Sequence, residues 1–191
     1  MDLSLFSFIN GTHTPWADEL MLLASAVGRG GFVWIATAII AAVFPRLRMA
    51  AWRVILSVAL TFLLVDGVIK PIVHRERPFQ VLPGARLIDT RPLTGSFPSG
   101  HAASAAAGAL SVGRLLPAAR IVWWPLAIAI AVSRIYVGAH WPSDVLAGAL
   151  IGLAMGWFVL GGRRIRPSAR RYRPTHMAGA PDPNATATVA P

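Results

Sequence analysis

Long apolar stretches alternate with short polar segments over most of this 191-residue chain. A helix needs about 20 predominantly apolar residues, and at least about 17, to cross the hydrocarbon core of a bilayer. The pattern predicts four crossing helices of about this length, at 54–69, 99–116, 121–137 and 145–160. Gly148, Gly152 and Gly156 recur at every fourth position of the last helix and predict a face for close helix packing.

The first apolar region, 18–44, is interrupted by Gly28-Arg29-Gly30-Gly31. It predicts either one crossing helix with a break at these glycines, or an interfacial helix followed by a short crossing helix. Residues 1–16 lack a basic start and a cleavage site, so they predict a short interfacial helix rather than a signal peptide. We therefore expect an all-α, polytopic membrane bundle of five to six helices.

Composition agrees with a membrane protein, since 55% of the residues are hydrophobic. A single membrane-embedded domain is expected over 1–162, followed by a basic, disordered, cytoplasmic tail over 163–191. The net charge of +10 does not indicate nucleic-acid binding, because the arginines cluster beside apolar stretches rather than with aromatic residues on a soluble face. The chain has no cysteine, which excludes disulfides and thiolate metal sites.

The arginine distribution also predicts an orientation. Basic residues without acidic neighbours lie at 45–53, at 114–120 and in the tail, which is typical of cytoplasmic loops. Counting crossings from these loops places the start of the chain and the segments between the other helix ends on the opposite, periplasmic or extracellular, side. We therefore expect an integral protein of the cell membrane with its polar segments facing outward.

Three polar segments, 70–78, 97–101 and 133–144, carry the candidate chemistry. Ser99 is placed to cap a helix, and the free amides behind it, beginning at Gly100, form an anion site. Lys70, Arg77 and Arg134 supply cations that can surround phosphoryl oxygens. Asp66 lies four residues before Lys70, so an ion pair between them is possible.

Two histidines suit a divided role in phosphate chemistry. Asp144 lies four residues after His140, and a carboxylate there can keep one ring nitrogen protonated while the other attacks phosphorus. His101 can protonate the leaving oxygen as a general acid. A zinc site of two histidines and one aspartate is the chemical alternative. The nearby cations disfavour a metal, so we expect neither a metal nor another cofactor.

The three segments together resemble the signature of the type 2 phosphatidic-acid phosphatase superfamily. Lys-x6-Arg-Pro, Pro-Ser-Gly-His and Ser-Arg-x5-His-x3-Asp occur in this order, and the resemblance covers about 50–160. It implies metal-independent dephosphorylation of a lipid through a phosphohistidine. The implied catalytic residues are His140 as nucleophile, Asp144 as its orienting partner and His101 as acid, and the implied phosphate-binding residues are Lys70, Arg77, Ser99, Gly100 and Arg134.

The short chain, its opening residues and the segment around His140 resemble small bacterial undecaprenyl-pyrophosphate phosphatases, so we expect that lipid as substrate. Those enzymes often carry aspartate at the position of Gly100. Glycine is the general lipid-phosphatase form, which makes a phosphatidylglycerophosphate or phosphatidic-acid phosphatase the alternative. A non-enzymatic transporter subunit or lipid-binding scaffold would explain the crossings but not the His/Asp spacing. The sequence specifies no oligomeric state.

Overall fold

The computed structural model describes residues 2–161, and this range contains helices and no strand. The tail predicted over 163–191 lies outside the described residues. The α-helices are α1 Asp2–Asn10, α2 Pro15–Gly28, α3 Phe32–Ala42, α4 Arg48–Phe62, α5 Lys70–Val73, α6 Pro78–Val81, α7 Gly100–Leu115, α8 Arg120–Tyr136 and α9 Pro142–Val159. The predicted all-α membrane bundle is confirmed.

Helix α7 forms the centre of the bundle and packs against α4, α8 and α9. Its run of alanine, glycine and serine leaves little side-chain bulk, so neighbouring backbones approach closely. The glycine face of α9 lies on it: Gly148 meets the backbone of Ser99, and Gly152 meets the carbonyl oxygen of Ala103. The packing face predicted from these glycines is therefore present.

Helix α4 carries Lys70 to the site through a wider turn. It starts at Arg48, earlier than the predicted crossing at 54–69, and continues as a π-helix over Leu63–Ile69 before α5. The Asp66 carboxylate lies 2.5 Å from the Lys70 ammonium, so the predicted ion pair forms. The long polar segment after α5 is not entirely loop, because its Pro78–Val81 portion is helical.

The first apolar region is broken where the glycines predicted a break. A short 3-10 turn, Arg29–Gly31, separates α2 from α3, and Gly30 and Gly31 have φ of 58° and 69°. These left-handed values favour glycine. A β-carbon on Gly31 would also lie only 2.7 Å from a methyl carbon of Val58.

Four helical segments are long and apolar enough to cross a membrane: Pro15–Ala42 taken across its break, Arg48–Val81, Pro117–Tyr136 and Pro142–Val159. Large apolar side chains such as Ile40, Phe62 and Phe158 are more than half exposed in the isolated chain, as expected for lipid-facing positions. The central α7 is shorter and mostly surrounded by these segments. The start of α5, the start of α7 and the end of α8 carry predicted site residues and meet at one end of the bundle.

Candidate active site

A cavity of about 200 Å³ opens where the three polar segments meet. Six of the eight residues predicted for the site line it: Lys70, Arg77, Gly100, His101, Arg134 and His140. Ser99 and Asp144 are fully buried and are not among the lining residues. The structure thus brings most of the predicted set into one cavity, although the two histidines of the set are separated by 39 positions of sequence.

The start of α7 forms one wall of this cavity. Ser99 is its N-cap, as predicted, and its hydroxyl accepts a hydrogen bond from the amide of Ala102 at 3.4 Å. Gly100 faces the Asp66 carboxylate, since a β-carbon there would lie 2.7 Å from Asp66 Oδ2. Asp66 therefore occupies the space that a side chain at position 100 would need, which gives a physical reason for glycine at this position.

Arg77 is fixed by backbone carbonyls rather than by an acid. Its guanidinium donates to the carbonyl oxygens of Thr94 at 2.9 Å, Gly95 at 3.0 Å and Ala139 at 2.7 Å. One of its nitrogens, Nη1, also lies 3.3 Å from Nε2 of His140. Arg77 has no ion-pair partner among residues 2–161, so no carboxylate offsets its charge toward an anion in the cavity.

Arg134 is held by residues that the sequence did not single out. Its Nη1 donates to Asp89 at 2.8 Å and to the hydroxyl of Ser25. Its Nε is buried and has no hydrogen-bond partner among residues 2–161. Burial opposes ionisation of Asp89, but hydrogen bonds from Ser25 and Arg134 hold the pKa of Asp89 well below its usual range. One side of the guanidinium is therefore fixed by Asp89 and Ser25, while its buried Nε has no partner among residues 2–161.

The neighbours of His140 determine its tautomer. A carbonyl oxygen only accepts, so the 2.8 Å contact with Ser96 means that Nδ1 carries the proton and donates it. His140 lines the cavity, and its unprotonated Nε2 lies beside Arg77, which can only donate. Burial lowers the pKa of His140 to about 3, although Asp144 opposes this shift. The imidazole is thus neutral near pH 7, as a nucleophile requires.

Asp144 supports this histidine in a different way from the one predicted. Its Oδ2 lies 3.7 Å from Nδ1 of His140, and the hydrogen bond of that nitrogen goes to the carbonyl of Ser96 instead. The Ser96 hydroxyl in turn donates to Asp144. The carboxylate therefore positions the ring mainly through Ser96, because the hydroxyl of Ser96 contacts Asp144 while its carbonyl oxygen takes the Nδ1 hydrogen bond.

Arg75 is a further residue without a predicted role. Its Nη1 donates to Asp144 at 2.6 Å and to the hydroxyl of Ser143 at 2.7 Å, and its Nη2 donates to Asp2 of α1 at 2.8 Å. Arg75 belongs to the first polar segment, but no local pattern distinguishes it from the other arginines there. Asp89 and Ser96 lie in a loop with no periodicity, so their partners were not predictable from spacing.

His101 projects from the first turn of α7 into the same cavity. Its Nε2 is buried and has no hydrogen-bond partner within residues 2–161. Leaving such a group unpaired costs free energy, so a partner in the cavity stabilises it. The ring lines the cavity, and its Nε2 is not held by another side chain or carbonyl of residues 2–161.

Metal binding was the chemical alternative for these histidines. Among residues 2–161, no group of three or more His, Asp or Glu side chains is arranged to hold a metal ion. The cations Lys70, Arg77 and Arg134 line the cavity together with the two histidines. This combination suits an oxyanion that reacts with a neutral nitrogen nucleophile.

Comparison with known proteins agrees with this geometry. The family model described as the PAP2 superfamily matches residues 50–166, which is more than half of the chain. The chain belongs to the PAP2 superfamily. The resemblance found in the three polar segments is therefore confirmed, and the protein is a membrane lipid phosphatase of this superfamily.

Two relatives and one solved structure show the breadth of the superfamily. The chain is 32% identical over 154 residues to an undecaprenyl-diphosphatase of Sulfolobus acidocaldarius, covering 79% of this chain and 73% of that protein. It is 34% identical over 162 residues to a decaprenylphosphoryl-5-phosphoribose phosphatase of Mycobacterium tuberculosis, covering 80% and 88%. A transmembrane PAP2-type phosphatidylglycerolphosphate phosphatase from Bacillus subtilis superposes with a TM-score of 0.69 at 27% identity, covering 86% of this chain and 87% of that one.

Proposed function

We propose that this PAP2 phosphatase removes the terminal phosphate of undecaprenyl pyrophosphate without a metal, at the periplasmic or extracellular face of the cell membrane. The observation that carries the chemistry is that two histidines line one cavity together with three cations. His140 carries its proton on Nδ1, and Nε2 of His101 has no hydrogen-bond partner within residues 2–161. A nucleophile and a separate proton donor are the two groups that phosphoryl transfer through a covalent intermediate needs.

In the proposed reaction, Nε2 of His140 forms a bond to the terminal phosphorus. The bond from phosphorus to the bridging oxygen breaks, and His101 in its protonated form gives its proton to that oxygen. Water then attacks the phosphohistidine, a proton passes back to His101, and the nitrogen–phosphorus bond breaks to release inorganic phosphate. Donors fixed before the reaction begins stabilise the charge that develops on the phosphoryl oxygens.

Lys70, Arg77, Arg134 and the amides at the start of α7 are the proposed phosphate contacts. All three cations are more than 90% buried, so water screens their charge weakly. The proposed contact of Gly100 is its backbone amide, because the Asp66 carboxylate occupies the space beside its α-carbon. The contact predicted for the Ser99 hydroxyl stays a prediction, because that hydroxyl caps α7 and is not among the lining residues.

Separate observations support the proposed lipid substrate and the proposed orientation of the protein in the membrane. The relatives from Sulfolobus acidocaldarius and Mycobacterium tuberculosis are both named for polyprenyl lipids. The arginine-rich loops at the other end of the bundle indicate that the cavity faces away from the cytoplasm. A phosphatidylglycerophosphate phosphatase is the second candidate, favoured by the structural similarity to the phosphatidylglycerolphosphate phosphatase of Bacillus subtilis.

The test is phosphate release by the purified full-length protein in detergent, with EDTA present, from undecaprenyl pyrophosphate, phosphatidylglycerophosphate and phosphatidic acid. We expect the prenyl substrate to have the highest kcat/KM. We expect His140→Ala to lower kcat by roughly a thousandfold or more, as removal of a nucleophile does. His74→Asn is the matched control, because His74 is exposed and outside the cavity, and asparagine tolerates its φ of 46°.

Two results would overturn parts of this proposal. Activity that disappears in EDTA and returns with zinc would replace the metal-independent mechanism. A higher kcat/KM for phosphatidylglycerophosphate would select the second candidate substrate while leaving the roles of the histidines intact.

A further inference from the structure

Arg29 is a fourth cation of the cavity, and neither the superfamily signature nor the proposed reaction uses it. It lines the cavity with Lys70, Arg77 and Arg134. Its side chain is 57% exposed, whereas each of the other three residues is less than 10% exposed. Arg29 therefore lies at the mouth of the cavity, outside the buried cations that surround the reacting phosphate.

The break between α2 and α3 determines this position. Arg29 opens the 3-10 turn that Gly30 and Gly31 make possible through their positive φ. The preceding residue, Gly28, lies against the ring of His101, since a β-carbon on it would be 3.3 Å from Cδ2 of that ring. Arg29 is thus next in sequence to the residue that contacts His101, which protonates the leaving oxygen in the proposed reaction.

The carboxylates of the cavity leave Arg29 weakly engaged. Asp66 is paired with Lys70 at 2.5 Å, and Asp89 is paired with Arg134 at 2.8 Å. Arg29 Nη2 is 3.7 Å from Asp89 Oδ1, which is beyond hydrogen-bonding distance. Its guanidinium can therefore turn toward an incoming anion without giving up a strong partner.

We propose that Arg29 forms a subsite for the second phosphate of a diphosphate lipid, the phosphate that stays on the leaving group. The terminal phosphate then lies among the buried cations at His140, and the phosphate joined to the lipid lies at the cavity mouth beside Arg29 and the bilayer surface. Planar guanidinium donors suit two phosphoryl oxygens at once. This assignment rests on the proposed function, because it takes from it both the diphosphate lipid substrate and the position of the terminal phosphate at His140.

The test compares ligands that differ by one phosphate group. Farnesyl pyrophosphate and farnesyl monophosphate serve as substrates for the wild-type protein, Arg29→Ala and Arg29→Lys. Binding of methylenediphosphonate and of inorganic phosphate is measured on the same proteins by isothermal titration calorimetry, which needs no turnover. Arg86→Ala is the matched control, because Arg86 is also exposed but does not line the cavity.

We expect Arg29→Ala to reduce the ratio of kcat/KM for pyrophosphate over monophosphate by about tenfold, the size expected for one charge-assisted contact to phosphate. The preference for methylenediphosphonate over phosphate should fall by a similar factor, with partial recovery in Arg29→Lys and none of this change in Arg86→Ala. An unchanged ratio in both measurements, or an equal loss for both ligands of each pair, would overturn the subsite.

The calorimetric measurements distinguish a failure of this subsite from a failure of the proposed function. If farnesyl pyrophosphate is not hydrolysed, the assigned substrate class is wrong, and the calorimetric preference still tests the subsite. If hydrolysis occurs but Arg29→Ala leaves both ratios unchanged, the phosphatase assignment stands and the role of Arg29 is refuted.

Discussion

Replacement of Arg75 by alanine tests how the buried carboxylate of Asp144 is stabilised. Asp144 is fully buried, and Arg75 is the one arginine or lysine of residues 2–161 within 4.0 Å of it, at 2.6 Å. The remaining donors, the Ser96 hydroxyl and the amide of Trp141, carry no charge. Removing Arg75 therefore leaves a buried anion with neutral partners only.

The expected cost of removing Arg75 follows from how deeply Asp144 and Arg75 are buried. Breaking a fully buried ion pair by truncating one partner costs about 3–5 kcal/mol. The side chain of Arg75 is 33% exposed, so water screens it and enters the space it leaves, and we reduce this to about 1.5–3 kcal/mol. Asp144 holds Ser96, and Ser96 holds His140. We therefore expect the destabilised carboxylate to misplace Nε2 of His140, the proposed nucleophile, and to decrease kcat by roughly 10–150-fold.

The assay measures kcat and KM for phosphate release in detergent, together with the thermal unfolding midpoint of each variant. Asp2→Asn is the graded control, because Asp2 contacts Arg75 and Ser143 but not Asp144. It should change kcat by less than about threefold, the effect of weakening one partly exposed ion pair. Arg86→Ala removes an exposed cation elsewhere on this end of the bundle and should leave kcat unchanged.

Two outcomes would refute this reasoning. A folded Arg75→Ala protein with kcat within threefold of wild type would show that the neutral donors suffice for Asp144. An equal loss in Asp2→Asn would show that Arg75 acts by anchoring α1 rather than through the charge of Asp144.

Two further predictions concern stability. Gly152→Ala should lower the free energy of unfolding by about 1–3 kcal/mol, because the added β-carbon meets the carbonyl of Ala103. Gly84→Ala is the control, since Gly84 lies in open space and its replacement should change thermal unfolding little. Equal thermal unfolding midpoints for the two variants would contradict close packing of α7 and α9. Between pH 6.5 and about 3, the unfolded chain binds a proton at His140 that the folded chain does not, so the free energy of unfolding should fall as pH is lowered through this range. His140→Asn should show a smaller fall in the unfolding midpoint between pH 7 and 4.5, and an identical fall would exclude His140 as the cause.

The sequence alone determined the helices and the family. Lipid requires that every backbone polar group be satisfied within a helix, so apolar length predicts the crossings directly. The polar residues stood out because an apolar chain carries few of them without a function. Crossing parity then placed the three polar segments at one end of the bundle. The Gly148, Gly152 and Gly156 face was also readable, since its spacing is a local helical pattern.

Tertiary structure decided how the site residues are held. The contacts of Ser96 with His140, of Asp89 with Arg134 and of Arg75 with Asp144 join positions 44, 45 and 69 residues apart. No helical or strand period relates such residues, because loops whose path is set by packing bring them together. For the same reason the hydrogen bond of His140 Nδ1 goes to the carbonyl of Ser96 rather than to Asp144, a choice that depends on where tertiary packing places Ser96.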